Sequence, residues 1–177
     1  MKWRDDTAHP DPATALACFV AVVLGLNGPF YPLYVIALVG WTRGHIAFLT
    51  MFATPLFLAI PLLARHRPAG GRVALWLVGT SNTLWCMKLL GPASGVGLFL
   101  LPCIALAVLL PAGWARLAGA GLPLALLLVP KDWFGAPIMV LDAAQYARMA
   151  TLNQFSAACL IGLLALRSGK FFQTDRA

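Results

Sequence analysis

The chain has 177 residues, of which 60% are hydrophobic and only 11% charged, and its formal net charge is +7. A soluble domain carries about a quarter charged residues, so this composition describes a polytopic membrane protein whose length is consumed by spans and short connectors. The basic residues fall between apolar runs, where they act as topology signals and headgroup contacts, and no basic stripe with interleaved aromatics exists to bind nucleic acid.

The expected fold is all-α: a compact bundle of six transmembrane helices over about 13–39, 45–63, 73–90, 96–110, 114–129 and 145–166, with tails at 1–12 and 167–177. The run after residue 12 is too long for the apolar core of a signal peptide, so it reads as a first span that stays. In that span Ala13, Ala17, Ala21 and Gly25 recur every four residues, a smooth face for close helix approach. Asn27-Gly28-Pro29-Phe30-Tyr31-Pro32 follows, and its two prolines remove backbone donors and must kink or unwind the helix. Broken backbone at membrane depth is tolerated where it lines a cavity or is buried in protein. The motif is read either as a binding pocket or as a plain kink with an aromatic belt.

The second span contains Pro55 and Pro61, and His45 at its edge reads as a surface histidine, because a haem ligand needs a facing partner at mid-span. After the basic loop Arg65 to Arg72, the third span carries Thr80, Ser81, Asn82 and Thr83 in succession. Unpaired polar groups in hydrocarbon cost several kcal/mol by rough estimate, so this helix is expected at the centre with its polar groups shielded by protein. Lys88 shares a face with Ser81 and Trp85; it is either a snorkelling anchor or a partner for an anionic ligand. Short turns then place the third, fourth and fifth spans side by side. The one long connector is 130–141, and Asp142 with Gln145 forms a capping box for the last helix.

Six spans put both termini on one side. Lys2, Arg4, Arg65, Arg67, Arg72, Arg116, Arg167, Lys170 and Arg176 lie there, nine against the four of Arg43, Lys88, Lys131 and Arg148 opposite. The excess assigns both termini to the cytoplasmic face of a bacterial plasma membrane. On the outer side Arg43, Lys88, Lys131, Asp132, Asp142 and Arg148, with Trp41, Trp133, Phe134 and Tyr146, are expected to rim a cup whose floor is Asn27, Tyr31, Ser81 and Asn82. The candidate ligand-binding set is therefore Asn27, Tyr31, Ser81, Asn82, Trp85 and Lys88.

Catalytic chemistry is not expected. No span carries Asp or Glu, no metalloprotease, P-loop or nucleophile-elbow motif occurs, and Ser81 and Ser156 lack a histidine at matching depth. Cys18, Cys86, Cys103 and Cys159 form no CxxC pair and read as small packing residues. Neither a metal nor a cofactor is implied.

Three stretches carry a family likeness: Gly28-Pro29-Phe30-Tyr31-Pro32-Leu33-Tyr34, Leu90-Gly91-Pro92-Ala93-Ser94-Gly95-Val96-Gly97-Leu98-Phe99-Leu100-Leu101-Pro102, and Leu152-Asn153-Gln154-Phe155-Ser156-Ala157-Ala158. With the order of elements, they resemble the six-helix membrane modules that precede the catalytic domain in some bacterial class III adenylyl cyclases. Related modules occur in quorum-sensing histidine kinases that detect small hydrophobic ketones. The resemblance implies a sensor of a small amphiphilic ligand. In that family the last span feeds an enzyme domain; here the chain stops at Ala177, so the output is expected to pass through a separate signalling partner. A small permease, a structural subunit of a membrane complex and a homo-oligomer are the other readings the sequence leaves open.

Overall fold

The computed structural model describes residues 11–111 and 113–168, with the side chains of Lys131 and Asp132 excepted. The expected tails at 1–12 and 167–177 therefore lie outside the described residues, apart from 11, 12, 167 and 168. All regular structure among the described residues is helical.

The first helix, α1 (Pro12–Asn27), starts where its sequence supplies both an N-cap and a first turn that needs no donor. Asp11 accepts from the Ala13 N–H at 3.2 Å and from the Thr14 hydroxyl, and Pro12 occupies the first position. Ala17, Ala21 and Gly25 are buried on the face that α3 covers, and a Cβ at Gly25 would stand 2.6 Å from the Leu58 side chain. At Gly28-Pro29-Phe30 the helix breaks. It resumes as α2 (Tyr31–Val39), bent by 42°. Gly28 lies beside α3, where a Cβ would sit 2.1 Å from Thr54 Oγ1.

Helix α3 (Trp41–His66) is wound as a 3₁₀ helix over His45–Phe52, just before Pro55. A proline removes one donor and pushes on the carbonyl four residues back, and tighter winding re-pairs the neighbouring groups. Thr50 returns its hydroxyl to the Ala47 carbonyl at 2.8 Å. Helix α4 (Pro68–Leu90) runs back against α3 so closely that a Cβ at Gly71 would meet Ala64 Cβ at 2.6 Å. It ends at Gly91, whose φ of +83° favours glycine.

Next come α5 (Val96–Leu109), which is 3₁₀ at both ends, and α6 (Trp114–Leu128). Pro123 inside α6 cannot donate to the carbonyl of Gly119, and that buried acceptor takes the Trp76 indole N–H of α4 at 2.8 Å instead. The segment 130–141 lies along the end of α4, with the Ile138 and Met139 N–H groups donating to Lys88 and Leu89 carbonyls. Helix α7 (Ala143–Ser168) opens with the capping box: Gln145 N–H donates to Asp142 Oδ1 at 2.8 Å, and Asp142 N–H to Gln145 Oε1 at 3.1 Å. The turn chemistry fixes both helix entries.

By length and composition α3, α4 and α7 can each cross a membrane, and the bent pair α1–α2 can do so as one broken span. At about 1.5 Å per α residue and about 2 Å per 3₁₀ residue, α5 and α6 reach only about 22–25 Å, short of a hydrocarbon core of about 30 Å. This is where the structure stops short of the expected six full spans. Prolines and Gly113 cut those two apolar runs into helices of 10–17 residues.

Contacts sort into two ends. At one, Asp11 pairs with Arg72 at 3.4 Å and the Arg167 guanidinium lies 4.2 Å above the Phe19 ring centre. At the other, Arg43 bonds Gln145 at 2.9 Å and approaches Asp142 at 3.9 Å. Two large apolar clusters fill the bundle, beside a small third of Trp76, Ala107 and Leu110. One holds Leu89, Leu90, Leu100 and Met149 near the Arg43 end; the other holds Ala17, Ile60, Leu75 and Leu106.

Candidate functional site

Between those clusters lies a cavity of about 120 Å³, at the α1–α2 break. Asn27, Gly28 and Tyr31 come from the break, Thr54 and Phe57 from α3, and Asn82 and Cys86 from α4. Asn27 is the exposed member of the lining, which puts the mouth on the flank of the bundle at the break. Among the described residues no charged side chain lines the cavity.

Its polar groups differ in what they still offer. Tyr31 donates its hydroxyl to Asn153 Oδ1 at 2.9 Å, and Thr83 returns its own to the Gly79 carbonyl at 2.9 Å. The Asn82 carboxamide oxygen faces only the Cys86 thiol, at 3.8 Å. A thiol is a weak donor, so the Asn82 amide retains most of its hydrogen-bonding capacity.

The structure brings together Asn27, Tyr31 and Asn82 from the predicted set, and places the other three elsewhere. Ser81, Trp85 and Lys88 do share one face of α4, as their spacing requires, but that face is exposed and points away from the cavity. Trp85 donates its indole N–H to the Leu49 carbonyl at 2.9 Å. Lys88 donates to the carbonyls of Phe134 and Ala136 at 3.2 and 2.9 Å, so it fastens the segment 130–141. Thr80 and Thr83 are buried and Asn82 is half-buried, while Ser81 lies on the surface. A helical serine has a carbonyl one turn back within reach of its hydroxyl, so exposing it costs less than exposing an amide.

The expected open cup is also corrected. Its rim groups Arg43 and Asp142 pair with each other, Tyr146 donates to the Met139 carbonyl at 3.4 Å, and buried Met139 and Leu141 plug that end. Access is lateral, at Asn27.

The residue missed in sequence is Asn153. It is fully buried, accepts from Tyr31, and donates Nδ2 to the Ser94 carbonyl at 2.8 Å. One carboxamide thus joins α2, α7 and the α4–α5 turn. The available signal was the adjacent amide pair Asn153-Gln154 in a helix long enough to span, since an amide placed inside such a helix needs buried partners.

Cys86 and Cys103 line the cavity as free thiols, and among the described residues no group of three His, Cys, Asp or Glu side chains gathers in a metal-ligating cluster. The chain matches no protein-family model, no curated protein and no solved structure.

Proposed function

We propose that this protein is a bacterial plasma-membrane module of six crossings that senses a small neutral ligand and passes the signal to a separate protein. The observation that carries the reading is the uncharged cavity at the broken helix, where Asn27 and Asn82 sit beside a tyrosine already bonded to another helix.

Size and charge define the ligand class. An apolar cavity of about 150 Å³ takes up benzene, so 120 Å³ holds a body of about that size. The uncharged lining disfavours an ionic ligand, which would lose its hydration with no compensating charge. The carboxamides supply donors for one carbonyl or hydroxyl oxygen. A mouth on the bundle flank admits a molecule that partitions into the bilayer, with a longer tail left outside. This agrees with the small hydrophobic ketones that the resemblance implies.

The Tyr31–Asn153 bond supplies the route out. A ligand oxygen that draws on Tyr31 or displaces it changes the tie between α2 and α7, and α7 runs to the opposite end of the bundle at Arg167. Both termini lie on the cytoplasmic side, where Arg65, Arg67, Arg72, Arg116 and Arg167 outnumber Arg43, Lys88 and Arg148. The short helices α5 and α6 complete six crossings by thinning the bilayer locally.

The test is calorimetric binding of a homologous series of straight-chain 2-alkanones to the full chain in nanodiscs. Saturable binding with an optimum chain length is expected, and Asn82→Leu should abolish it while the protein still inserts. Uptake that rises monotonically with chain length, equal in wild type and Asn82→Leu, would mean plain partitioning and overturn the reading. Solute flux in proteoliposomes would replace it with a carrier.

A further inference from the structure

A second concavity lies on the outside of the bundle, between α2 and α7, lined by Tyr34, Leu38, Arg148, Thr151, Leu152 and Phe155. We propose that it binds one anionic phospholipid, with the phosphate on Arg148 and an acyl chain laid along the groove toward Phe155.

The groove measures about 570 Å³ and its walls are almost wholly apolar, the exception in charge being Arg148 at one end. Arg43 at the same end of the bundle is engaged with Asp142 and Gln145. Arg148, in contrast, has no hydrogen-bond or ion-pair partner among the described residues. An unpaired guanidinium beside an apolar trough is complementary to a phosphate carrying a hydrocarbon chain, and its planar fork favours phosphate over a neutral headgroup.

Depth agrees with this occupant. Arg148 lies six residues beyond Asp142, about 9 Å below the helix entry at 1.5 Å per residue, within snorkelling reach of the headgroup layer. Phe155 lies two turns deeper, about 10 Å further along α7, and the residue is 70% exposed. The trough therefore begins near the interface and descends into hydrocarbon. A soluble protein partner would not reach that depth.

Position gives the lipid a consequence. Tyr34 is one turn from Tyr31 and Leu152 is next to Asn153, so an acyl chain in the groove covers the outer side of the α2–α7 contact that the Tyr31–Asn153 bond holds. The proposal rests on the chain crossing a membrane, and not on the identity of the cavity ligand.

The test is native mass spectrometry of the delipidated full chain in detergent, titrated with phosphatidylglycerol and, separately, phosphatidylcholine. The first bound phosphatidylglycerol should be about five-fold tighter, matching the roughly 1 kcal/mol that one basic residue contributes toward anionic lipid. Arg148→Gln should erase that preference and Arg43→Gln should leave it. Equal preference in wild type and Arg148→Gln, or equal loss in both variants, overturns the site. Displacement by glycerol phosphate as readily as by lipid would overturn the lipid assignment in favour of a phosphate site. Release of the protein from membranes by alkaline carbonate would instead defeat the membrane reading itself.

Discussion

The Tyr31 hydroxyl donates to Asn153 Oδ1 at 2.9 Å across 122 positions of chain. The same carboxamide donates to the Ser94 carbonyl at 2.8 Å, and Ser94 in turn donates its hydroxyl to the Gly91 carbonyl at 2.6 Å. Next to this chain of bonds Gly95 adopts φ +75° and packs on α7, where a Cβ would stand 3.0 Å from the Ala150 Cα. A buried amide with its partners in place specifies one register between helices, and with a partner removed it is costly. The bond lies at the junction of cavity and α7.

Tyr31→Phe removes one donor and leaves Asn153 Oδ1 unpaired, so it should cost about 0.5–1.5 kcal/mol, the range for hydrogen bonds between membrane helices. Asn153→Ala loses both bonds and leaves a hole at a fully buried position, with an expected cost of about 2–4 kcal/mol. In the double variant the penalties should overlap, because Tyr31 has already lost its acceptor. Reversible unfolding in mixed micelles measures all three. Additive costs would mean that the bond does not form.

A second pair follows from proline chemistry. The Gly119 carbonyl lost its helical donor to Pro123 and accepts from Trp76. Trp76→Phe should therefore cost about 1–3 kcal/mol, the penalty of an orphaned buried acceptor. In a Pro123→Ala background the restored N–H serves that carbonyl, and the Trp76→Phe cost should fall by at least about 1 kcal/mol. An unchanged cost in both backgrounds would show that the indole contributes packing alone.

Local chemistry was legible in the sequence; rotational phase was not. The break at Gly28-Pro29, the small face of α1 and the Asp142–Gln145 capping box follow from donors that proline lacks, Cβ atoms that glycine lacks and side chains that match a cap. Four consecutive polar residues, Thr80 to Thr83, point around most of a helix, so they mark α4 as central without saying which one faces the cavity. The site took Asn82 and left Ser81 outside. The charge of Lys88 and the face it shares with Ser81 and Trp85 suggest an anchor or an anionic partner, but its partners are carbonyls of a distant segment, which helix spacing cannot show. The bounds of α5 and α6 were legible to within one residue, 96–110 against Val96–Leu109 and 114–129 against Trp114–Leu128; what an apolar run of that size does not supply is the reach of a full crossing.

The break itself makes a steric prediction. Gly28 has helical angles, φ −48° and ψ −50°, and precedes Pro29, whose Cδ disfavours that region for a residue with a Cβ, so alanine meets that restriction as well as the crowding from α3. The 2.1 Å approach of a Cβ to Thr54 Oγ1 should make Gly28→Ala destabilising by about 1–3 kcal/mol, and adding Thr54→Ala should recover the part due to crowding, leaving the cost set by Pro29. Gly121 on α6 meets nothing within 4 Å, and Gly121→Ala should stabilise by about 0.5–1 kcal/mol. Thermal unfolding of the three variants separates crowding from helix propensity. A neutral Gly28→Ala would show that α1 and α3 are not held this close.

Asp11 gives the pH dependence. Partial burial pushes its carboxyl up, but hydrogen bonds from Thr14 and the Ala13 N–H, with the Arg72 guanidinium, outweigh that and hold it below the ordinary carboxylate value. A group whose pKa is lower folded than unfolded stabilises above the unfolded value, about 3.9, and the gain disappears as pH falls through the folded pKa. Asparagine caps a helix as well as aspartate does, so Asp11→Asn removes the charge and keeps the cap. At neutral pH the variant should be less stable by about 0.2–1 kcal/mol, the range for a partly exposed ion pair. The gap should narrow below about pH 4 and shrink in high salt. Unfolding curves across that pH range test the assignment, and a gap that stayed constant with pH would place the effect in packing and not in the charge facing Arg72.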